Sequence, residues 1–263
     1  MDFVRSDPYN DKNKLVSKKE IESLMENLTI TNFYVNDISF YQTSFTHKSY
    51  CQLKEYEKYD NNNNCLELQS KSYETMEFLG DSILESVISS YIYQRFHLLY
   101  GCDEGFLTRL KIRLVCGQNL YKVSKHLGFQ NHLIISKQVE DSQHGRNNEN
   151  ILEDVYEAFI AAIYLDKGYL FAEQFIIKTI EKYVDFTDIL LRDNNYKDQI
   201  CRYFQQSFQI KPEYQHSKDK LQHICKIFHN GKCVAIGYGE SKKKSEQDVS
   251  KKALIYFNVI TEQ

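Results

Sequence analysis

ETMEFLGDSILESVISSYIY, residues 74–93, is the stretch that decides the fold. It contains no proline, and its apolar residues recur at helical spacing: Phe78, Leu79, Ile83, Leu84, Val87, Ile88 and Tyr91. On this predicted helix the carboxylates of Glu74, Glu77 and Asp81 project from one face. Carboxylates arranged in this way repel one another unless a cation lies among them, and a hard divalent cation takes oxygen ligands. The alternative is a solvated acidic stripe on a surface helix.

A second segment, NILEDVYEAFIAAIYL at residues 150–165, has the pattern of another apolar helix. It carries Glu153, Asp154 and Glu157, and the spacing of Asp154 and Glu157 puts both on a common face. Two core helices that each contribute a pair of acids can form a four-carboxylate cluster, which is a common protein site for Mg²⁺. Such a cluster can support metal-assisted hydrolysis, because the ion lowers the pKa of a bound water and stabilises the leaving oxygen.

Four segments resemble the ribonuclease III family, and they occur in the order of that family. ETMEFLGDSIL is similar to the family's signature motif, and EDVYEAFIAAIYLD is similar to its second acidic motif. SFTHKSY (44–50) and EGFLTRLKIRLV (104–115) resemble the segments that precede and follow the signature. The resemblance spans roughly residues 20–183 and implies an all-α endonuclease domain that hydrolyses double-stranded RNA.

The resemblance also implies roles for individual side chains. The acids that would act in catalysis and hold Mg²⁺, for which Mn²⁺ can substitute, are Glu77, Asp81, Asp154 and Glu157, supported by Glu74 and Glu104. His47 is interpreted as a packing and hydrogen-bonding residue and not as a catalytic base.

The family acts as a homodimer with the signature helix at the interface, which would place one acidic site at each strand of a duplex. We expect the same here, because the helix at 74–93 has more apolar surface than the core of one small domain readily uses.

Charge and cysteine content narrow the class of protein further. The net charge is −3, but residues 195–263 hold 12 Lys and Arg against 7 Asp and Glu, so the acidic excess lies in the rest of the chain. This asymmetry is expected when one part holds metal and the other holds a polyanion. Seven cysteines without a Cys-x-x-Cys pair argue against a disulfide framework or a zinc site.

No secretory signal or membrane-spanning run is recognisable, so we expect a soluble intracellular protein without membrane contact, with the cytoplasm favoured over the nucleus. The predicted organisation is a disordered N-terminus (1–17), a catalytic domain (18–185), a linker (186–194) and a second domain (195–263). Residues 52–72 are polar and contain four consecutive asparagines, which predicts a flexible loop that is longer than the family has at this point.

The second domain has the pattern of a helix, three strands and a helix, with an Asn-Gly turn at 230–231. This small α+β pattern resembles the double-stranded-RNA-binding domain, which reads the shape of a duplex. The residues that the resemblance assigns to RNA are Gln205, Lys218, Ser241, Lys242, Lys243 and Lys244. Arg202 stands where this domain type has a glutamate, and residues 216–219 replace its Gly-Pro-x-His loop, so we expect binding with an unusual dependence on salt.

The function that these patterns favour is a Mg²⁺-dependent endoribonuclease specific for double-stranded RNA. The alternative is a non-cleaving duplex-binding or scaffold protein on the same fold, such as a ribosomal relative or a silencing suppressor. A protein that has stopped cleaving is expected to lose acids, because buried unpaired carboxylates are costly without a metal. This chain keeps all of them.

Overall fold

A computed structural model describes residues 6–61, 64–142, 145–186, 189, 196–219 and 222–261. The chain divides into two compact units, residues 1–189 and 190–263. Most of the linker predicted at 186–194 lies outside the described residues. In the part of the chain that the structure describes, no helix is both long enough and apolar enough to span a bilayer.

The first unit is helical, as predicted. Its helices are α1 (Lys18–Asn27), α2 (Ile38–Ser44), α3 (Glu74–Ile92), α4 (Glu104–Leu114), α5 (Gly117–Leu127), α6 (Lys137–Ser142), α7 (Glu149–Lys167) and α8 (Tyr169–Tyr183). A π-helical segment, Tyr93–Leu98, extends α3. The acidic helices α3 and α7 therefore have nearly the limits that their apolar spacing predicts.

Helices α3 and α7 form the centre of this unit and pack unusually closely. A Cβ atom at Gly80 of α3 would overlap the backbone carbonyl of Glu157 on α7, so only glycine permits this approach. Helix α7 is buried along much of its length, and the residues that are inaccessible to solvent include Leu152, Val155, Phe159 and Ile163. The crossing fixes where the acids of one helix lie relative to those of the other.

The apolar face of α3 is used by the core of the unit itself, contrary to our expectation that much of it would be left over for a partner. The buried side chains on this face are Ile83, Leu84, Val87, Ile88 and Ile92. Phe78 is different, since 78% of it is exposed. The surplus of apolar surface inferred from the sequence is thus reduced to Phe78 near the start of the helix and to Tyr93, which is 47% exposed at the end of the predicted stretch.

The prediction of a disordered N-terminus is wrong for residues 6–17. Asn10 is fully buried, and its side-chain amide and that of Asn13 both donate to the carbonyl oxygen of Ile135, at 3.1 and 2.9 Å. Arg146 donates to Asn13 Oδ1 (3.0 Å). These amides satisfy buried backbone groups of the helical unit, so the polar composition of the segment reflects its contacts and not solvation.

The insertion at 52–72 is also more structured than predicted in its described parts. A turn of 3₁₀-helix covers Lys54–Tyr56, and the backbone of Gln69 pairs with those of Tyr50 and Gln52. The buried Tyr50 donates its hydroxyl to the carbonyl of Leu66 (2.5 Å). The backbone hydrogen bonds between Gln69 and residues 50 and 52 are not accompanied by a periodic pattern of apolar residues. The sequence of this segment therefore predicted only a loop.

The second unit has the predicted order of elements. Helix α9 (Tyr196–Phe208) is followed by β1 (Glu213–Asp219), β2 (Gln222–His229), β3 (Lys232–Gly239) and α10 (Lys242–Tyr256). The strands form an antiparallel sheet in the order β1-β2-β3, and Asn230 and Gly231 both have positive φ in the β2–β3 turn. A separate core joins the helices to one face of the sheet: Ile200, Phe204, Cys225, Ile227, Ala235, Val249, Ala253 and Leu254.

Replacing Gly80 by alanine tests the close helix crossing. We expect Gly80→Ala to lower the free energy of unfolding of the first unit by about 1–3 kcal/mol, since the added methyl group must push α3 away from the backbone of α7. The measurement is the thermal and urea unfolding of the whole protein, followed by circular dichroism.

Gly105→Ala in α4 is the matched control. The nearest atom to a Cβ there belongs to the flexible end of the Arg109 side chain. Alanine favours a helix over glycine by up to about 1 kcal/mol, so this variant should be neutral or stabilised. Equal stabilities for the two variants would contradict the crossing that we describe.

Candidate active site

The helix crossing brings together the four acids that the sequence assigned to the site. Glu77 and Asp81 lie on α3 beside Gly80, while Asp154 and Glu157 lie on α7. Burial raises the pKa of Glu157 to about 8, helped by the negative charges of Asp81, Glu153, Glu77 and Asp154. Acids from both helices therefore act on a single carboxyl group.

Burial raises the pKa of the other three acids as well. Burial raises the pKa of Glu77, and the charges of Asp154 and Glu74 add to the effect. Burial also raises the pKa of Asp154 and of Asp81. Because like charges and desolvation both disfavour the ionised forms, the site holds an excess of negative charge that the protein only partly compensates.

Two lysines supply that partial compensation at the edge of the cluster. Lys48 Nζ lies 2.8 Å from Glu74 Oε1, and its charge lowers the pKa of Glu77 and Asp154 against the effect of burial. Lys111 Nζ lies 3.0 Å from Glu85 Oε2, and its charge acts on Asp81 in the same direction. Glu74 is thus an exposed acid at the edge of the site, and its carboxylate is paired with the ammonium group of Lys48.

Tyr73 contacts the cluster directly, although the sequence analysis did not single it out. Its hydroxyl donates to Asp154 Oδ2 (3.0 Å), and only 2% of the residue is exposed. His47 lies against the Tyr73 ring, with 5.8 Å between ring centroids, and burial lowers the pKa of His47 to about 4. The surroundings of His47 agree with its interpretation as a packing residue.

Glu104, to which the resemblance gave a supporting role, lies apart from the four acids, whereas Glu153, to which it gave no role, lies with them. Glu104 is exposed at the start of α4, accepts a hydrogen bond from Thr108 Oγ1 (2.9 Å), and is not among the main charges that perturb the four acids. Glu153 does belong to the group, because burial and the charges of Asp154 and Asp81 raise its pKa. Glu153 lies four residues before Glu157, so helical spacing alone could have placed it on the same face as that acid.

The chemistry of these side chains fits a hard divalent cation. Among the described residues, no group of three or more His, Cys, Asp or Glu side chains is already arranged to hold a metal ion. The donors are nevertheless all carboxylates, the ligands that Mg²⁺ prefers, and the raised pKa values identify a site that a cation would stabilise. The fit therefore rests on donor type and charge.

The residues assigned to RNA are distributed over three elements of the second unit. Gln205 on α9 and Lys218 on β1 are exposed. Residues 216–219 were predicted to correspond to a loop, but they belong to β1 and pair with residues 222–225 of β2. The prediction was wrong because polar residues on an exposed edge strand have the same composition as a loop.

The N-terminus of α10 carries the remaining RNA-binding candidates. Ser241 is its N-cap and accepts from the backbone N–H of Lys244 (3.2 Å), so this hydroxyl is already used in the fold. Lys242 and Lys243 are exposed, whereas Lys244 pairs with Glu240. Lys242 and Lys243 therefore present exposed ammonium groups at a helix N-terminus, where anions are favoured.

Comparison with known proteins identifies the family. A sequence family described as ribonuclease-III-like matches residues 37–184. The probable ribonuclease 3 of Acanthamoeba polyphaga mimivirus is 33% identical over 261 residues, which cover 96% of this chain and 47% of that protein. Ribonuclease 3 of Enterococcus faecalis is 30% identical over 224 residues, which cover 83% of this chain and 90% of that one.

A solved structure agrees with these sequence relationships. The nuclease domain of ribonuclease III from Campylobacter jejuni matches with a TM-score of 0.50 at 29% identity, covering 62% of this chain and 98% of that one. The chain belongs to the ribonuclease III family. It is an endoribonuclease, with a helical nuclease unit followed by an α+β unit of the double-stranded-RNA-binding type.

The raised pKa of Glu157 predicts how stability depends on pH without metal. The folded state holds this proton to about pH 8, whereas the unfolded chain releases it near 4.5, so stability should fall as pH rises between these values. We expect Glu157→Gln in EDTA to flatten this fall and to raise the free energy of unfolding at pH 8 by on the order of 1 kcal/mol after allowance for solvent screening. Urea unfolding at several pH values measures it.

The control for this experiment is Glu26→Gln, which changes an exposed acid on α1. It should leave the pH dependence of the wild type intact. If Glu157→Gln and the wild type lose stability in parallel from pH 4.5 to 8, Glu157 does not carry the buried repulsion described above.

Proposed function

We propose that this endoribonuclease cleaves double-stranded RNA in a Mg²⁺-dependent reaction and that it acts as a homodimer. The main support for the proposal is that carboxylates of α3 and α7 lie close enough to Glu157 for burial and their negative charges to raise its pKa to about 8. An acidic site of this kind needs a cation before it can accept a phosphodiester, because the RNA backbone is itself negative.

Glu77, Asp81, Asp154 and Glu157 would hold the ion, and Mg²⁺ bound there would lower the pKa of a water molecule and stabilise the leaving oxygen. Glu74 would stay outside this set, because Lys48 occupies its carboxylate. Without metal, a pKa of about 8 leaves Glu157 mostly protonated near neutral pH, so binding of the cation would compete with that proton. The second unit would hold the duplex through phosphate contacts from Lys242 and Lys243.

The cleavage assay that tests the metal site separates chemistry from binding. The wild type should cleave long duplex RNA in Mg²⁺ and stop in EDTA, and Glu157→Gln should lose at least about 100-fold in rate because it removes the charge of a ligand. Its affinity for the duplex, measured by fluorescence anisotropy, should change less than about threefold. Intact duplex across a Mg²⁺ and Mn²⁺ titration of the wild type would instead support the non-cleaving alternative.

The complementary variant removes charge from α10. Lys242→Ala with Lys243→Ala should weaken duplex binding and reduce the slope of log affinity against log salt by up to about two units. Cleavage of a short duplex at high enzyme concentration and low salt should persist, since the acids are untouched.

The matched control is Lys211→Ala with Lys232→Ala, which removes two exposed lysines near the opposite end of the sheet. A wild-type salt slope for Lys242→Ala with Lys243→Ala, or the same loss of slope in the control, would contradict the assignment of phosphate contacts to the N-terminus of α10.

The homodimer follows from the number of acidic sites and from one exposed side chain. Each chain supplies one cluster, while a duplex has two strands related by approximate two-fold symmetry. Phe78 lies beside Glu77 on α3 with 78% of its surface exposed. The related Campylobacter nuclease domain has a region involved in dimer formation. We infer that Phe78 belongs to the dimer interface of this protein.

Sedimentation velocity at micromolar concentration tests the role of Phe78. The wild type should sediment as a dimer, and Phe78→Ser should weaken dimerisation by at least tenfold, because aromatic anchors dominate interface energies. Leu170→Ser is the control, since Leu170 is also exposed (69%) but lies at the start of α8. A wild-type dimer in the Phe78 variant, or a wild-type monomer with full cleavage activity, would overturn this inference.

A further inference from the structure

Tyr73 links the two acidic helices, since its backbone contacts the first turn of α3 and its side chain contacts Asp154 on α7. Its carbonyl oxygen accepts from the N–H groups of Met76 (2.8 Å) and Glu77 (2.9 Å) in the first turn of α3. Its hydroxyl crosses to α7 and donates to Asp154 Oδ2 (3.0 Å). One residue therefore contacts the backbone of one acid and the carboxylate of another.

Tyr73 is itself held in place on the opposite side. The backbone N–H of Tyr73 donates to the carbonyl of Thr46 (2.9 Å). His47, which follows Thr46 in the chain, donates its own N–H to the carbonyl of Ile134 (2.9 Å). The ring is enclosed by the core, with 2% of the residue exposed. The hydroxyl consequently has little freedom to move away from Asp154.

We propose that Tyr73 is a positioning residue of the active site, which orients the Asp154 carboxylate for the divalent cation. The proposal rests on the function proposed above. With Oδ2 turned toward the tyrosine hydroxyl, Asp154 keeps its other oxygen for a ligand bond. Groups that hydrogen-bond a ligating carboxylate fix its orientation, and their loss reduces metal affinity by about 10- to 100-fold.

The chain contains a second buried tyrosine–aspartate pair that serves as an internal comparison. Tyr41 is fully buried and donates its hydroxyl to Oδ2 of Asp166, also at 3.0 Å. Asp166 lies on α7 as well, twelve residues and so about 18 Å along the helix from Asp154. It also accepts from the backbone N–H groups of Asn36 and Asp37, which ties it to the N-terminus of α2.

Both pairs join the hydroxyl of a buried tyrosine to a partly buried aspartate on α7, but Tyr73 contacts an acid of the cluster and Tyr41 contacts Asp166, which is remote from it. Tyr73→Phe and Tyr41→Phe each remove one hydroxyl donor from a partly buried aspartate, although Asp166 Oδ2 still accepts from the backbone N–H of Asn36. Urea unfolding of both variants measures the stability that each loses, so that a general loss of folding is separated from a loss of metal affinity.

The decisive measurement is the affinity of the RNA-free protein for Mn²⁺, read from the signal of the free ion in electron paramagnetic resonance. Tyr73→Phe should weaken binding by about tenfold or more, and Tyr41→Phe should bind as the wild type does. In cleavage assays the Mg²⁺ concentration for half-maximal rate should rise by the same factor in Tyr73→Phe. Saturating Mg²⁺ should restore most of kcat, with KM for the duplex unchanged.

A double-mutant cycle shows whether Tyr73 acts through Asp154. In an Asp154→Asn background, Tyr73→Phe should change Mn²⁺ affinity by less than about twofold, because the carboxylate that it orients is gone. A full tenfold effect in this background would overturn the proposed route.

Failure of this inference is distinguishable from failure of the proposed function. If the wild type binds Mn²⁺ and requires a divalent cation for cleavage but Tyr73→Phe binds it equally well, Tyr73 has only a structural role. If the wild type neither binds Mn²⁺ nor depends on a divalent cation, the metal-dependent function and the positioning role are both wrong.

Discussion

The contact of Gly80 with the backbone of Glu157 is the constraint on which the rest of the active site depends. Because a glycine hydrogen replaces a side chain there, α3 and α7 approach closely enough for acids on both helices to perturb one another. Apolar side chains along α7 keep the helices at this distance. The same crossing that completes the core therefore assembles the charge that the chemistry requires.

Such an assembly opposes folding unless part of its charge is neutralised. Lys48 and Lys111 do this from two sides, and each also pairs with an acid outside the central four, Glu74 or Glu85. The compensation is incomplete, since burial and repulsion still raise the pKa of Glu157 to about 8. We infer that the surrounding core holds the site in an arrangement that is unfavourable without a cation, and relief of this repulsion would favour the binding of a metal ion.

Several parts of this arrangement could be predicted from local sequence patterns. The spacing of Glu77 with Asp81 and of Asp154 with Glu157 placed each pair on one helical face, and the Asn-Gly pair marked the hairpin of the second unit. Tyr73 and Asp154 are 81 residues apart, and Lys48 and Glu74 are 26 apart. Contacts between residues so far apart depend on how the helices pack, and helical periodicity in the sequence does not predict them.

Two errors in the sequence analysis, at residues 6–17 and 52–72, have a common physical origin. Residues 6–17 and the insertion at 52–72 are polar, and polar composition predicts solvation. Asn10 and Asn13 instead direct their amides at the backbone of Ile135, so their polarity satisfies a buried carbonyl. Composition measures how many polar groups a segment has but not whether their partners are water or protein.

The orientation of a carboxylate adds a further requirement beyond its position. The helix crossing fixes the Cα positions of the acids, but an aspartate side chain can still rotate about its own bonds. Asp154 is restrained by the Tyr73 hydroxyl, and Tyr73 is restrained in turn by the backbone of Thr46. The segment around Thr46 and His47 thus reaches the active site in two ways, through the backbone of Tyr73 and through Lys48, which pairs with Glu74. The segment that resembles the family motif therefore supports the residue that orients Asp154 and also supplies a positive charge beside the acids.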